Sequence, residues 1–312
     1  MRVVFLGTPE FAVPTLEALA GRGHDIAAVY TQPDRPKGRG NQLTASPVKE
    51  AAMRLGLKIF QPERVRRPEN VAALAAQRPD IMVVVGYGQI IPQSIIDIPP
   101  HGILNVHASL LPKYRGAAPI QWAIANGETE TGVTIMRIDA GLDTGDMLLR
   151  SATEIGARET APELSLRLSQ QGAELLINAL RRIEAGSADY EKQTEGEATI
   201  APILTKEDGR VAWSRTACEI DNRLRGFTPW PGAYSSFRGQ LFQMLRAAVD
   251  PLPSGLPPGT IIKDKRRLLV ACGGESTLEL QEIQLQGKKR VPAEAFLNGY
   301  TFLPGEQFGE AH

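Results

Sequence analysis

Short apolar runs and longer amphipathic stretches alternate through the first half of this chain. Residues 3–6 are apolar on both faces and end at Gly7, the pattern of a buried parallel strand. A helix is expected from there to about Leu19, with Thr8 as its N-cap and Pro9 at its first position. Residues 26–30 form the second strand and complete a βαβ unit. Further helices are expected over residues 48–55 and 69–77, and further strands at Ile59–Phe60 and Ile81–Val85. Ile103–His107 is another strand. Its period of two puts Leu104 and Val106 on one face and Ile103, Asn105 and His107 on the other. Residues 117–126 read as a short helix, 132–139 as an alternating strand and 147–150 as its returning partner. Over residues 160–186 an apolar stripe of Leu164, Leu168, Leu175, Leu176 and Leu180 marks a long amphipathic helix.

The pattern then changes. Residues 188–203 are polar and poor in large aliphatics, as a linker would be. Beyond them come short strand-like segments at 211–213, 233–237, 241–245, 259–262, 268–271 and 277–286, with a helix at 217–224. The expected fold is α/β: a Rossmann-like, mostly parallel sheet domain over residues 1–187, a linker, and a small OB-like β-barrel over residues 204–312.

Composition narrows the class. The 312 residues carry a formal net charge of zero, so the whole chain gives no warrant for nucleic-acid binding. Cys218 and Cys272 have no metal-ligand spacing and fit a reducing compartment. No apolar run approaches the ~18 residues of a membrane span, and no signal peptide is evident, so a cytoplasmic location is expected. The first turn, GTPEFA, lacks the second glycine of a dinucleotide fingerprint, which weakens any NAD reading. Residues 31–47 form a long polar loop rich in Gly and Pro. Its Lys37 and Arg39 can hold a phosphate backbone or simply be solvated. Gly86 and Tyr87 follow the strongest strand, where open α/β sheets place ligands.

Asn105, His107 and the acidic glycine-rich turn DAGLDTGD suit acyl transfer to an amine without a covalent intermediate. Asn105 can donate to the oxyanion that develops on the attacked carbonyl, and a charged His107 can donate too. Asp143 can hold His107 charged and relay the protons that the amine loses and the leaving nitrogen gains. No GxSxG elbow is present, and Ser109 sits in no such turn, so an acyl-enzyme route is disfavoured. Other readings stay open: Asn105 as a buried structural residue, and the acidic turn as a self-capping loop or a weak cation site. A metal site at His107 is not expected, because no HxH or HExxH pattern occurs.

The segments LNVHASLLPKYRGAAPIQWAI and GVTIMRIDAGLDTGD closely resemble the folate-dependent formyltransferases. The resemblance implies that Asn105, His107 and Asp143 are the catalytic set and that Ser109, Leu110, Leu111 and Pro112 contact folate. Gly86 and Tyr87, placed by their position after the strongest strand, are expected in the same site. FLGTPEFAVPTLEAL, TQPDRPKGRG and LTKEDGRVAWS…RLRGFTPWPGAY extend the likeness from end to end, toward family members that formylate the methionine on initiator tRNA in bacteria. The implied co-substrate is 10-formyltetrahydrofolate, with no metal. The implied partner is initiator methionyl-tRNA, with no membrane and a monomer expected. Lys37 and Arg39 would then reach the acceptor arm. The clusters Lys263, Lys265, Arg266, Arg267 and Lys288, Lys289, Arg290 would meet the tRNA backbone. Phe227, Trp230 and Tyr234 are expected in the core of the second domain.

Overall fold

In the computed structural model, which describes residues 1–37 and 42–309, apolar runs flanked by turn residues become strands. The elements of the first part are β1 (Arg2–Gly7), α1 (Val13–Gly21), β2 (Asp25–Tyr30), β3 (Arg35–Lys37), β4 (Gln42–Thr44), α2 (Pro47–Arg54) and β5 (Ile59–Phe60). They continue with α3 (Pro68–Ala75), β6 (Ile81–Val85), α4 (Gln93–Ile96), β7 (Ile103–His107), β8 (Arg115–Gly116), α5 (Pro119–Ala125), β9 (Glu130–Arg137), β10 (Met147–Glu154), α6 (Ala161–Glu184) and β11 (Ile200–Ala201). The rest comprises α7 (Ala217–Gly226), β12 (Ala233–Phe237), β13 (Gln240–Asp250), β14 (Ile261–Asp264), β15 (Arg267–Ala271), β16 (Thr277–Leu285), β17 (Val291–Pro292) and α8 (Ala293–Gly299).

Two structural units result. The first comprises Met1–Pro119, Glu130–Glu154 and Leu164–Ala201. Its sheet has the order β10-β9-β7-β6-β1-β2-β5, in which β7, β6, β1, β2 and β5 run parallel. β9 and β10 are antiparallel additions. The mostly parallel, Rossmann-like sheet is therefore as the pattern predicts. One face is sealed by Val4, Leu6, Met82, Val84 and Ile103 against Leu74 of α3 and Ile95 of α4. On the other face α6 brings Gly172 so close that a Cβ there would stand 2.7 Å from Val106 Cγ1. The leucine stripe explains the burial of α6: Leu164, Leu168, Leu176 and Leu180 are each fully buried.

Two local expectations change. Thr8 does not cap α1. Its hydroxyl donates to the Tyr87 carbonyl at 3.0 Å, and a 3-10 turn at Glu10–Ala12 precedes the helix. A side chain at the end of β1 thus ties down the loop after β6 instead of its own helix. The polar stretch 31–47 is not all loop: β3 and β4 pair antiparallel from Arg35↔Thr44 to Lys37↔Gln42. Arg39 lies outside the described residues.

The second unit comprises Ile120–Thr129, Ile155–Glu163 and Pro202–His312. Its antiparallel sheet has the order β12-β13-β16-β15-β14, with β17 added on β16. Register shifts in β13 around Arg246, where the ladder takes up an irregularity, match the bending expected of a small barrel. Phe237, Phe242, Phe296 and Phe308 form an aromatic core with Trp213, Leu268 and Leu280. Residues 211–213 are not a strand; Val211 only donates to the Tyr234 carbonyl. Phe227 is buried as expected, with Trp122 edge-on at 5.3 Å, but Trp230 is 56% exposed and belongs to no core. In Thr216 the sequence supplies a capping box for α7: Thr216 accepts from the Glu219 amide and Glu219 accepts from Thr216.

Candidate active site

β7 is a central strand, with β6 parallel on one side and β9 antiparallel on the other. Val84↔Asn105 and His107↔Thr134 fix its register, so Asn105 and His107 share a face at its carboxyl end. His107 is 5% exposed. Its Nε2 lies 2.9 Å from the Tyr114 carbonyl, which can only accept, so Nε2 carries a hydrogen. Nδ1 faces Asp143 Oδ2 at 3.6 Å.

Asp143 reaches this position by a strained turn. Its φ is +53°, in the left-handed region. Asp139 closes the turn by accepting from the Gly141 amide at 3.0 Å and from the Thr144 hydroxyl at 2.7 Å. Gly145 then passes so near β9 that a Cβ would stand 1.9 Å from the Arg137 carbonyl oxygen, which leaves room for glycine alone. Asp143 Oδ2 accepts from the Gly116 amide at 2.8 Å, and Oδ1 receives a long 3.4 Å contact from Asn105 Nδ2. Asn105, His107 and Asp143 therefore converge. The Asp143 carboxylate stands 3.4 Å from the Asn105 amide nitrogen and 3.6 Å from His107 Nδ1.

The SLLP segment is packed against the sheet. Ser109 is fully buried, and its hydroxyl donates to the Lys113 carbonyl at 2.6 Å. That bond closes the loop. Leu111 and Pro112 are buried, and Leu111 packs with Met136 and Met147. Leu110 lies against Gly132 of β9. Thr134 ties the segment to the sheet, accepting from the Leu111 amide and donating to the Ser109 carbonyl. Tyr87 is 1% exposed, and its carbonyl is held by Thr8 and Gln32. Gly86, Tyr87 and Gly88 line a cavity of about 520 Å³ together with Thr8, Gln32 and Ser46. Asn105, His107 and Asp143 do not line that cavity.

Apolar side chains do stand open near the ends of the central strands. Ile90, after β6, is 79% exposed, and Leu142, after β9, is 61% exposed. Among the described residues no group of His, Cys, Asp and Glu could hold a metal ion. Burial pushes the Cys272 thiol up to about 12, which leaves it protonated and unsuited to nucleophilic work.

The basic clusters of the second unit divide. Arg267 is tied to Asp250, Glu279 and Asp264, and these partners hold its charge within the sheet. Arg266 pairs with Glu294, and Arg290 with Glu282 at 3.4 Å. Lys263 is exposed and its ammonium is 3.5 Å from the Leu297 carbonyl. Lys265 sits in the β14–β15 turn with φ +54°. Lys288 and Lys289 are exposed and make no ion pair among the described residues. Lys37 ends β3; its side chain lies outside the described part.

One set of residues was not anticipated. Gln193 Nε2 donates to the carbonyls of Asp143 and Gly145, both at 2.8 Å. Arg115 donates to Gln193 and forms a two-pronged pair with Glu195. These residues lie in the stretch expected to be a linker, which carries no periodicity to flag them.

The sheet, its catalytic-looking loop and the barrel-like second unit define a class of formyl-group transferases. The formyl transferase model matches residues 1–180, and that of the formyl transferase C-terminal domain matches residues 203–301. A methionyl-tRNA formyltransferase of Solibacter usitatus is 57% identical over 312 residues, all of both chains. One of Koribacter versatilis is 56% identical over 310 residues, 99% of each. This chain belongs to the methionyl-tRNA formyltransferase family. In fold it is also similar to an N-formyltransferase of Helicobacter canadensis solved with folinic acid and dTDP-3-aminofucose. That likeness has a TM-score of 0.67 at 18% identity, over 90% of this chain and 98% of that one.

Proposed function

We propose that the protein transfers a formyl group from 10-formyltetrahydrofolate to the α-amino group of methionyl initiator tRNA, acting as a cytoplasmic monomer in translation initiation. The observation that carries the mechanism is the convergence of Asn105, His107 and Asp143, with Asp143 Oδ2 3.6 Å from His107 Nδ1. The folate supplies a formyl carbon activated by its nitrogen. Asn105 donates its amide hydrogen to the formyl oxygen as negative charge builds there. Asp143 takes the proton released by the attacking amine, directly or through water, and passes it to the folate nitrogen as the bond from that nitrogen to the formyl carbon breaks, while His107 joins Asn105 in stabilising the oxyanion. Tyr114 keeps the imidazole oriented by accepting from Nε2. The buried SLLP loop, Ser109 to Pro112, shapes the folate site from beneath, and the backbone at Gly86 and Tyr87 borders it.

The tRNA-binding part is residues 204–312, joined to the catalytic domain through residues 188–203. Lys265, Lys288 and Lys289 are the cations most available for phosphate, with Lys263, Arg266 and Arg290 at their edges. Lys37 and Arg39 contact the acceptor arm. Arg267 acts by holding the sheet that displays the others.

Labelled formyl donor tests the assignment. Label should appear on charged initiator tRNA and not on a nucleotide-linked amino sugar. Transfer to the sugar in place of the tRNA would overturn the acceptor.

A further inference from the structure

Beyond α6 the chain runs along the catalytic loop before it reaches Pro202. Glu191 and Met147 exchange both main-chain hydrogen bonds at 2.8 Å. Thr199 accepts from the Tyr114 amide on its hydroxyl and from the Arg115 amide on its carbonyl, each at 2.8 Å. Ala201 accepts from the Ala117 amide at 2.9 Å. This strap thus holds residues 114–117, and those residues hold the catalytic pair: Tyr114 the imidazole of His107, Gly116 the carboxylate of Asp143.

Gln193 closes the circuit from the other side. Its Oε1 accepts from Arg115 Nε at 2.9 Å, and a guanidinium can only donate, so the amide orientation is fixed. The Nε2 hydrogens must then face the two carbonyls of the loop, Asp143 and Gly145. Arg115 is itself 5% exposed and held by both oxygens of Glu195. An aspartate at positive φ costs free energy and persists only where its surroundings over-determine it. Gln193 supplies that constraint at the residue whose carboxylate the mechanism uses.

We propose that Gln193 is a positioning residue for formyl transfer: it locks the Asp143 backbone so that the carboxylate faces His107, and Arg115 orients Gln193. The inference rests on the reading of Asp143 as the catalytic carboxylate. Neither Gln193 nor Arg115 touches a reacting atom in this scheme. Their effect passes through the loop geometry, and a misplacement near 1 Å is enough to cost about 100-fold in rate.

Steady-state kinetics and thermal unfolding of Gln193→Ala, Gln193→Glu, Asp143→Asn and the Gln193→Ala/Asp143→Asn double variant test it. Gln193→Ala should lower kcat by at least about tenfold, with KM for both substrates within about twofold. Gln193→Glu keeps the shape and still accepts from Arg115, but it cannot donate to two carbonyls, so it should be no better. With Asp143 already Asn, losing Gln193 should cost less than about threefold, because the two act as one unit. Full turnover by Gln193→Ala or Gln193→Glu overturns the proposal, as does an equal loss in both backgrounds. If the alanine variant unfolds early, the isosteric glutamate decides. Full turnover by Asp143→Asn alone would instead remove the catalytic reading on which the proposal stands.

Discussion

His107 sits between two oxygens of different kinds, a carbonyl that accepts from Nε2 and a carboxylate 3.6 Å from Nδ1. Removing the ring should therefore damage the chemistry more than the binding of either substrate. His107→Ala is expected to lower kcat by about 10²–10⁴-fold while tRNA affinity, measured by filter binding, changes little. Unchanged turnover would sink the assignment. The shared face of Asn105 and His107 was legible from strand period alone, because a period of two leaves no choice of face. Asp143 was harder. The turn offers Asp139, Asp143 and Asp146, and the resemblance singled out Asp143; in the fold Asp139 closes the turn while Asp143 faces the imidazole. Gln193 was invisible, since its bonds span 50 and 78 residues and leave no local pattern.

At the scale of elements, the parallel strands follow their apolar runs closely, and α6 follows its leucine stripe. The misreadings come from polar groups whose partners the local pattern does not show: a side chain bonded across the fold and a main chain paired in a hairpin. Thr8 reaches Tyr87 instead of capping a helix, and the polar stretch 31–47 finds a hairpin ladder. The same principle governs the second unit, where Arg267 draws β13, β14, β15 and β16 together through Asp250, Asp264 and Glu279. Burial pushes the Asp250 carboxyl up, but the Leu252 amide and the Arg267 guanidinium outweigh it and hold it below the usual carboxylate range. A depressed carboxylate stabilises the fold above its unfolded pKa, and that stabilisation is lost as pH falls through its folded value. Asp250→Asn should lower the unfolding midpoint at pH 7 by on the order of 5 °C. The gap from the parent protein should close as the pH is taken below about 4. A gap that persists in acid would mean that the charge is not what matters.

For the whole molecule, zero net charge hides a divided surface. Arg266, Arg267 and Arg290 are engaged with acidic neighbours, whereas Lys288 and Lys289 are exposed without an ion pair among the described residues. Affinity for tRNA should fall steeply with salt. Replacing Lys288 and Lys289 by alanine should flatten the log–log slope by about one to two units. An unchanged slope places the RNA surface elsewhere. Composition could not reveal this division, because opposite charges that pair in the fold count the same in a sequence as those that stay apart.

The strap of residues 191–201 carries a lesson for anyone recombining this protein with its relatives. The seam between interchangeable parts is not where the long helix ends. A chimera that takes its replacement C-terminal half from residue 188 onward imports a foreign Gln193, Glu195 and Thr199 against the native Tyr114, Arg115 and Gly116. One that changes parent at Pro202 keeps those contacts native. Paired chimeras from a distant donor should therefore differ in turnover by about tenfold or more in favour of the later junction. Equal rates would show that the donor's strap serves as well. In such exchanges, residues 191–201 belong with the first unit.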